Sequence, residues 1–172
     1  SHSWKIINLR YFNPAGAHYS GNFGENPLDK SSNLLPIVTK VAVGKLDFVK
    51  IFGKNWPTND GTAERDFVHV MDLADAHLKA LRYASNNKVA EVFNLGSGAP
   101  ASNKELLDAV QKYTGKMDIK IEANRPGDPA YLVADINKVK TILDWEPTQS
   151  SIDNVVATAV KWYNKTHKKE IQ

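Results

Sequence analysis

The sequence contains no cysteine, which excludes disulfides, thiolate–metal sites and cysteine nucleophiles. It also contains no apolar run near the ~20 residues that span a bilayer, and its first residues lack the apolar stretch of a secretory signal. Lysine and arginine are spread along the chain, apart from a small cluster at Lys165, Lys168 and Lys169, so no focused basic face for nucleic acid is predicted. We therefore expect a soluble, cytoplasmic protein that binds neither membranes nor nucleic acids.

What is present suffices for one globular α/β domain. The chain has 172 residues, 42% of them hydrophobic, and strand and helix patterns alternate without internal repeats. The predicted strands cover residues 4–12, 49–52, 67–70, 92–95, 119–121 and 132–134, and the predicted helices cover residues 34–44, 72–81, 103–115, 136–143 and 152–163. The residues from Asn13 to Gly16 should end the first strand, Asp72 should cap the second helix, and Ser102 with Glu105 forms a capping box.

Two polar residues follow or precede strands at positions that packing does not explain. Asn13 has an amide that donates and accepts, so it suits either a ligand or a simple turn. Arg65 stands at the start of a strand, where its guanidinium can clamp a phosphate or form a salt bridge with Glu64 or Asp66. The local pattern leaves both pairs of alternatives open.

The segment from Arg125 to Tyr131 is predicted to be a rigid loop, because two prolines restrict its backbone and a glycine permits a tight turn between them. Three hydrogen-bonding side chains project from it: Arg125 suits a pyrophosphate, Asp128 suits ribose hydroxyls, and Tyr131 suits the side of a sugar. A structured turn without a ligand would give the same pattern.

A longer series of segments resembles the UDP-glucose 4-epimerases (UDP-galactose 4-epimerases) of the extended short-chain dehydrogenase/reductase group. In order, the segments are Leu9 to His18, Ser32 to Pro36, Ile51 to Gly53, Asp60 to Thr62, Arg65 to Ala74, Phe93 to Gly98 and Arg125 to Tyr131. The resemblance implies that residues 1–172 are a C-terminal substrate-binding domain, with a strand at about residues 4–13 that belongs to a truncated Rossmann domain. Strand 4–12, which has no turn or cap before it, would then be an edge of a larger sheet.

The resemblance also implies a binding role for each matching residue. Arg65 and Arg125 would neutralise the diphosphate, and Phe52, with Lys50 and Ile51, would line a uracil pocket. The remaining substrate contacts would be Asn13, Asn33, Leu34, Asp128 and Tyr131, and the cofactor contacts would be Tyr11 and Phe12. Asn124 departs from the pattern, since relatives often carry a second arginine there.

The family oxidises the sugar C4 hydroxyl with bound NAD, lets the keto intermediate rotate and returns hydride to the opposite face. This reaction needs a glycine-rich dinucleotide loop and a Tyr-x-x-x-Lys pair, and none of the six tyrosines here has a lysine four residues later. Gly96-Ser97-Gly98 follows a strand but lacks the rest of a dinucleotide fingerprint, so it is interpreted as a turn. We therefore predict no catalytic residue in this chain and a parent protein in which the other half binds most of the NAD.

His69 and His77 are eight residues apart, without cysteines, so no metal site is predicted. The parent protein is expected to be a homodimer acting in galactose metabolism. Two alternatives to a UDP-glucose 4-epimerase remain: another NAD-dependent nucleotide-sugar epimerase, dehydratase or decarboxylase, and a non-catalytic module that binds UDP-sugars.

Overall fold

The computed structural model describes residues 4–26, 33–88 and 90–167. Ser32, Lys168 and Lys169, which entered the sequence analysis, lie outside this range. The helices are α1 (Leu34–Ala42), α2 (Val70–Asn86), α3 (Asn103–Thr114), α4 (Asn137–Leu143) and α5 (Ile152–His167). The strands are β1 (Ile6–Tyr11), β2 (Asn13–Ala15), β3 (Val49–Phe52), β4 (Glu64–Arg65), β5 (Phe67–His69), β6 (Ala90–Leu95), β7 (Ala101–Ser102), β8 (Ile119–Glu122) and β9 (Tyr131–Leu132).

The strands pair mostly in parallel, as the α/β prediction requires. β1 pairs with β6, β2 with β5 and β3 with β8, all in parallel. β4 lies between β7, which is antiparallel to it, and β9, which is parallel. Parallel pairs need crossover connections, and α1 lies in the connection between the paired strands β2 and β5.

Two hydrophobic clusters hold these layers together. The first joins α1, α3 and α5 around Val38, Leu106 and Val155, all fully buried. The second packs α2 and α4 on β6, with Trp145 and Phe93 fully buried at its centre. Over the described residues, the helices include none with the length and apolarity that a bilayer crossing requires.

The first strand ends before Asn13, as predicted, but the chain continues extended and changes its pairing partner there instead of turning. The Phe12 N–H still donates to the Leu95 carbonyl of β6, at 3.0 Å, whereas the Asn13 N–H donates to the Asp66 carbonyl at 3.0 Å. The residues after Phe12 therefore form a second short strand, β2, beside β5. Pro14 is tolerated because a parallel strand uses the N–H of only alternate residues toward one neighbour.

The prediction that Asp72 caps α2 was wrong. The N-cap is His69, whose Nδ1 accepts a hydrogen bond from the Met71 N–H at 3.1 Å. Asp72 is buried in the first turn of the helix, where its carboxylate accepts from the Thr148 and Gln149 N–H groups and from the Ser150 hydroxyl. It therefore fastens the segment before α5 to α2.

The other helix ends follow the predictions closely. Ser102 and Glu105 form the complete capping box of α3, and the Ser151 hydroxyl accepts from the Asn154 N–H at the start of α5. The apolar pattern of α2 was less informative, because Leu78 and Leu81 are 55% and 66% exposed while Ala76 and Ala80 are buried.

The imidazole of His69 is buried and neutral. Its Nδ1 accepts from Met71, so the proton is on Nε2, which donates to the Thr158 hydroxyl at 3.0 Å. Burial lowers the pKa of His69, and the nearby Asp72 carboxylate offsets this only in part. The histidine thus joins the β5–α2 junction to α5 in its uncharged form.

A pH dependence of stability follows from this lowered pKa. In the unfolded chain the imidazole titrates near 6.5, so below that pH the unfolded state binds more protons than the folded state and folding weakens. We expect the free energy of unfolding to fall as the pH goes from 7 to 5, measured by urea titration. His69→Asn should flatten this fall because asparagine can still cap α2 without titrating. His77→Asn, which leaves the buried imidazole in place, is the control, and equal slopes in both variants would contradict the assignment.

Candidate functional site

A cavity of about 700 Å³ opens between β2, β3, the β4–β5 segment and the start of α1. It brings together residues that lie more than 100 positions apart in the sequence. Ten of the twelve residues predicted to bind substrate or cofactor line it, namely Phe12, Asn13, Asn33, Leu34, Lys50, Ile51, Phe52, Arg65, Arg125 and Asp128.

Asn13 lies in the wall of the cavity rather than in a turn. As the first residue of β2 it pairs with Phe67 of β5, which fixes its backbone. Its side chain is half-buried and forms no hydrogen bond with the residues that the structure describes. Both the donor and the acceptor of this amide are therefore available inside the cavity.

Arg65 is held by backbone carbonyls. One guanidinium nitrogen, Nη1, donates to the Glu64 carbonyl at 2.8 Å and to the Pro129 carbonyl at 2.9 Å. Over residues 4–26, 33–88 and 90–167, neither Glu64 nor Asp66 forms an ion pair with it. The alternative of a local salt bridge is thus not realised, and the guanidinium keeps its charge and its other donors for a ligand.

Arg125 lies over the ring of Phe52, with its guanidinium carbon 3.7 Å from the ring centroid. Such stacking fixes the plane of the guanidinium while leaving its N–H groups free to bind at the edges. The loop that carries it is a tight turn, in which the Asp128 N–H donates to the Arg125 carbonyl at 3.3 Å and Gly127 has a φ of 83°. Proline followed by a left-handed glycine is typical of a type II turn.

The opposite wall comes from α1 and β3. Asn33 is the N-cap of α1 and its amide donates to the Glu25 carboxylate at 3.1 Å, so it is already held in place by the preceding loop. Lys50 forms an ion pair with Glu122 of β8 at 2.9 Å and is exposed, whereas Ile51 is buried. Because its ammonium group is paired with Glu122, Lys50 lines the cavity mainly with its backbone and the aliphatic part of its side chain.

The structure does not bring Tyr131 or Tyr11 into the cavity lining. Tyr131 of β9 lies opposite Glu64 of β4, and the next residue of β9 lies opposite Arg65. Because successive side chains of a strand point to opposite faces, Tyr131 is on the face opposite to that of the Arg65 side chain. It is 55% exposed. Tyr11 faces α2, where its hydroxyl donates to His77 Nε2 at 2.7 Å because His77 Nδ1 is committed to the Leu73 carbonyl. Binding by either tyrosine stays a prediction.

Comparison with known proteins places this geometry in a family. Residues 1–96 match the model of the NAD dependent epimerase/dehydratase family. The chain belongs to this family. The fold class expected from the sequence, part of an extended short-chain dehydrogenase/reductase, is confirmed by this match and by the structural similarities below.

Individual relatives agree with the family model. The chain is 43% identical over 160 residues to a UDP-glucose 4-epimerase of Bacillus subtilis, a match that covers 92% of this chain and 47% of the relative. A solved UDP-glucose 4-epimerase of Stenotrophomonas maltophila, with bound NAD and formylated UDP-arabinopyranose, superposes with a TM-score of 0.92 at 36% identity, covering 97% of this chain and 50% of that one. A Bifidobacterium longum enzyme in complex with NAD+ and UDP has a TM-score of 0.88 at 39% identity, covering 98% and 50%.

The chain thus spans about half the length of the relatives it matches. The family is NAD-dependent, and the two solved relatives above were crystallised with that cofactor. What those relatives bind is a property of their complete chains.

The glycine-rich segment of this family member does not fit a dinucleotide. The Ser97 and Gly98 N–H groups, which could otherwise cradle a phosphate, both donate to the buried carboxylate of Asp66. A Cβ on Gly96 would lie 2.2 Å from Asp66 Oδ2, so this glycine serves the close approach of a side chain from the same protein. Gly96-Ser97-Gly98 is a turn around Asp66, as the sequence analysis interpreted it.

Sequence reasoning missed two kinds of residue at this site. Phe67 and Asn103 line the cavity, but each lies in a segment whose pattern is explained by a strand or by a helix cap. Asp66 was considered only as a partner of Arg65, yet it is fully buried and accepts from Ser97, Gly98 and Ala134. A charged residue directly before an apolar strand was the one available signal for that second role.

Proposed function

We propose that this chain is the substrate-binding portion of a UDP-glucose 4-epimerase, an NAD-dependent isomerase that interconverts UDP-galactose and UDP-glucose in galactose metabolism. The observation that carries the proposal is the cavity, in which Arg65 and Arg125 converge with Asn13, Phe52 and Asp128. The 43% identity to a UDP-glucose 4-epimerase supports the choice of substrate.

In this proposal the two arginines bind the diphosphate, whose roughly two negative charges require charge-assisted donors. Arg65 is anchored by carbonyls and Arg125 by the ring of Phe52, so both enter the complex already oriented. Pre-orientation matters because less side-chain freedom is lost when the ligand binds.

The remaining contacts follow from the same assignment. Asp128 accepts from ribose hydroxyls, and Phe52 with the backbone of Lys50 and Ile51 lines the uracil. Asn13, Asn33 and Leu34 contact the uridine diphosphate or the sugar side of the ligand, and Phe12 approaches the cofactor. This chain therefore binds and orients the substrate but moves no proton or hydride itself.

The chemistry is assigned to the remaining half of the parent protein, which would carry the dinucleotide loop, most of the NAD contacts and the Tyr-x-x-x-Lys pair. NAD supplies hydride acceptance and return at the sugar C4 when it is bound there. The parent is proposed to be a cytoplasmic homodimer.

The purified chain should show no turnover of UDP-galactose with added NAD, and turnover would refute the assignment.

Calorimetry with UDP tests the binding function directly. We expect saturable heat from the 172-residue chain, because the lining residues predicted for the UDP moiety are in place within the chain. No heat at millimolar UDP would contradict an autonomous site. Binding without any catalytic parent would instead favour a non-catalytic UDP-sugar module, the second candidate, which is supported by the presence of the predicted UDP-binding residues in one cavity.

The choice between nucleotide sugars rests on finer features. A UDP-glucuronic acid 4-epimerase of Bacillus cereus, 25% identical to this chain, has a TM-score of 0.74, so related epimerases share the architecture. The bulk of Tyr131 is predicted to disfavour N-acetylated sugars, although the side chain does not line the cavity. Equal turnover of UDP-galactose and its N-acetyl counterpart by the complete enzyme would refute that prediction.

A further inference from the structure

Asn103 lines the same cavity but was not among the residues predicted to bind the substrate. It is the first residue of α3, directly after the N-cap Ser102, and it is half-buried. Its position was explained by the capping box alone, which gives no reason for an amide at this place.

The backbone donors around Asn103 are all used within the protein. The Asn103 N–H donates to the Ala63 carbonyl at 3.0 Å, the Lys104 N–H to the Thr62 hydroxyl at 3.2 Å, and the Glu105 N–H to the Ser102 hydroxyl at 3.0 Å. The start of α3 is therefore not an anion site. The Asn103 side chain, in contrast, forms no hydrogen bond with the described part of the chain.

The position of Asn103 along the cavity wall indicates which part of a ligand it meets. Ala63, Arg65 and Phe67 line the cavity as alternate residues of a nearly extended segment. Asn13 pairs with Phe67 at one end of this segment, and Asn103 is hydrogen-bonded to Ala63 at the other end. At about 3.3 Å per residue, the two ends are roughly 13 Å apart, with Arg65 midway.

We propose that the Asn103 side chain binds the nucleoside moiety of the ligand by hydrogen bonding. The inference rests on the proposed function: if Arg65 holds the diphosphate and Asn13 the sugar side, Asn103 lies on the nucleoside side of the diphosphate. An amide donates and accepts at once, which suits a pyrimidine edge or a pair of ribose hydroxyls. Asn103 is thus a specificity-determining residue rather than a catalytic one.

The test is calorimetric titration of the chain and of Asn103→Ala with UDP, UMP and inorganic pyrophosphate. Loss of one or two neutral hydrogen bonds should weaken UDP and UMP binding by about 3- to 10-fold. Pyrophosphate, which has no nucleoside, should bind equally well to both proteins. Asn137→Ala is the matched control, because Asn137 is also the first residue of a helix, α4, but does not line the cavity.

Two further ligands distinguish the base from the ribose. If the amide binds the ribose hydroxyls, the effect of Asn103→Ala disappears with 2′,3′-dideoxy-UDP; if it binds the base, the preference for UDP over CDP shrinks in the variant. Either result supports the proposal. Unchanged UDP affinity in Asn103→Ala, or an equal loss for pyrophosphate, would overturn it while leaving the proposed function intact. If the unsubstituted chain does not bind UDP, the proposed function fails and the inference fails with it.

Discussion

Replacing Arg65 by alanine should weaken the binding of UDP to this chain by about 100-fold. A charge-assisted hydrogen bond to a phosphate contributes roughly 1.5–3 kcal/mol, and Arg65 is expected to make at least one through the donors that Glu64 and Pro129 leave unused. Calorimetry with UDP measures the loss. Its dependence on charge can be checked in the same experiment, because the difference between the two proteins should shrink as salt is added.

Two variants make this result specific to the phosphate contact. Arg82→Ala removes an arginine from the exposed surface of α2, outside the cavity, and should leave UDP affinity unchanged. Arg65→Lys keeps the positive charge but loses the planar set of guanidinium donors, so it should recover only part of the affinity for UDP. Thermal unfolding of all three must show that the fold is kept. An Arg65→Ala variant that binds UDP as well as the unsubstituted chain would contradict the assignment of the diphosphate.

The arrangement of the two arginines explains why the first prediction is large. Each guanidinium is held in place by an uncharged group of the protein, which leaves its positive charge unpaired by that group. For Arg65 the group is a backbone carbonyl, and for Arg125 it is the ring of Phe52. A carboxylate partner would have to be displaced before a phosphate could bind. Because no such exchange is needed, most of the interaction with the phosphate is gained as binding free energy.

Elements whose signals are local could be predicted from the sequence. The capping box at Ser102 and Glu105 defined the start of α3, and the apolar spacing of Val155, Val156 and Ala159 defined the buried face of α5. The failures lie at junctions. Asp72 is as good a capping residue as any, but His69 precedes it at the end of β5 and takes that role, because strand and helix follow each other without a loop.

In the candidate site, too, features with a local sequence signal could be predicted and features that depend on contacts between distant segments could not. Arg65 and Arg125, which line the cavity, stand out in the local pattern and in the resemblance, whereas Asn103 stands out in neither. Tyr131 is predicted beside a sugar from its position in a rigid loop, and the pairing of β9 with β4 places it opposite Glu64 rather than Arg65, which the loop sequence does not reveal. Strand register depends on contacts between distant segments, so a local pattern cannot supply it.

Replacing Asp66 by alanine should have the largest effect on folding. Its carboxylate is fully buried behind the cavity wall and accepts from the peptide N–H groups of Ser97, Gly98 and Ala134. Alanine leaves these donors without their acceptor, at about 1–3 kcal/mol for each that stays unsatisfied. We expect the free energy of unfolding to fall by about 4 kcal/mol, measured by urea titration.

Two comparisons separate this effect from the loss of a negative charge. Asp108→Ala removes an exposed carboxylate that pairs with Lys104 at 2.6 Å, and it should cost less than about 1 kcal/mol. Asp66→Asn keeps one acceptor oxygen and should lie between the two. A loss below about 1 kcal/mol in Asp66→Ala would mean that water replaces the carboxylate. In that case Asp66 would not be what holds the Gly96–Gly98 turn and the Ala134 segment against the strand that carries Arg65.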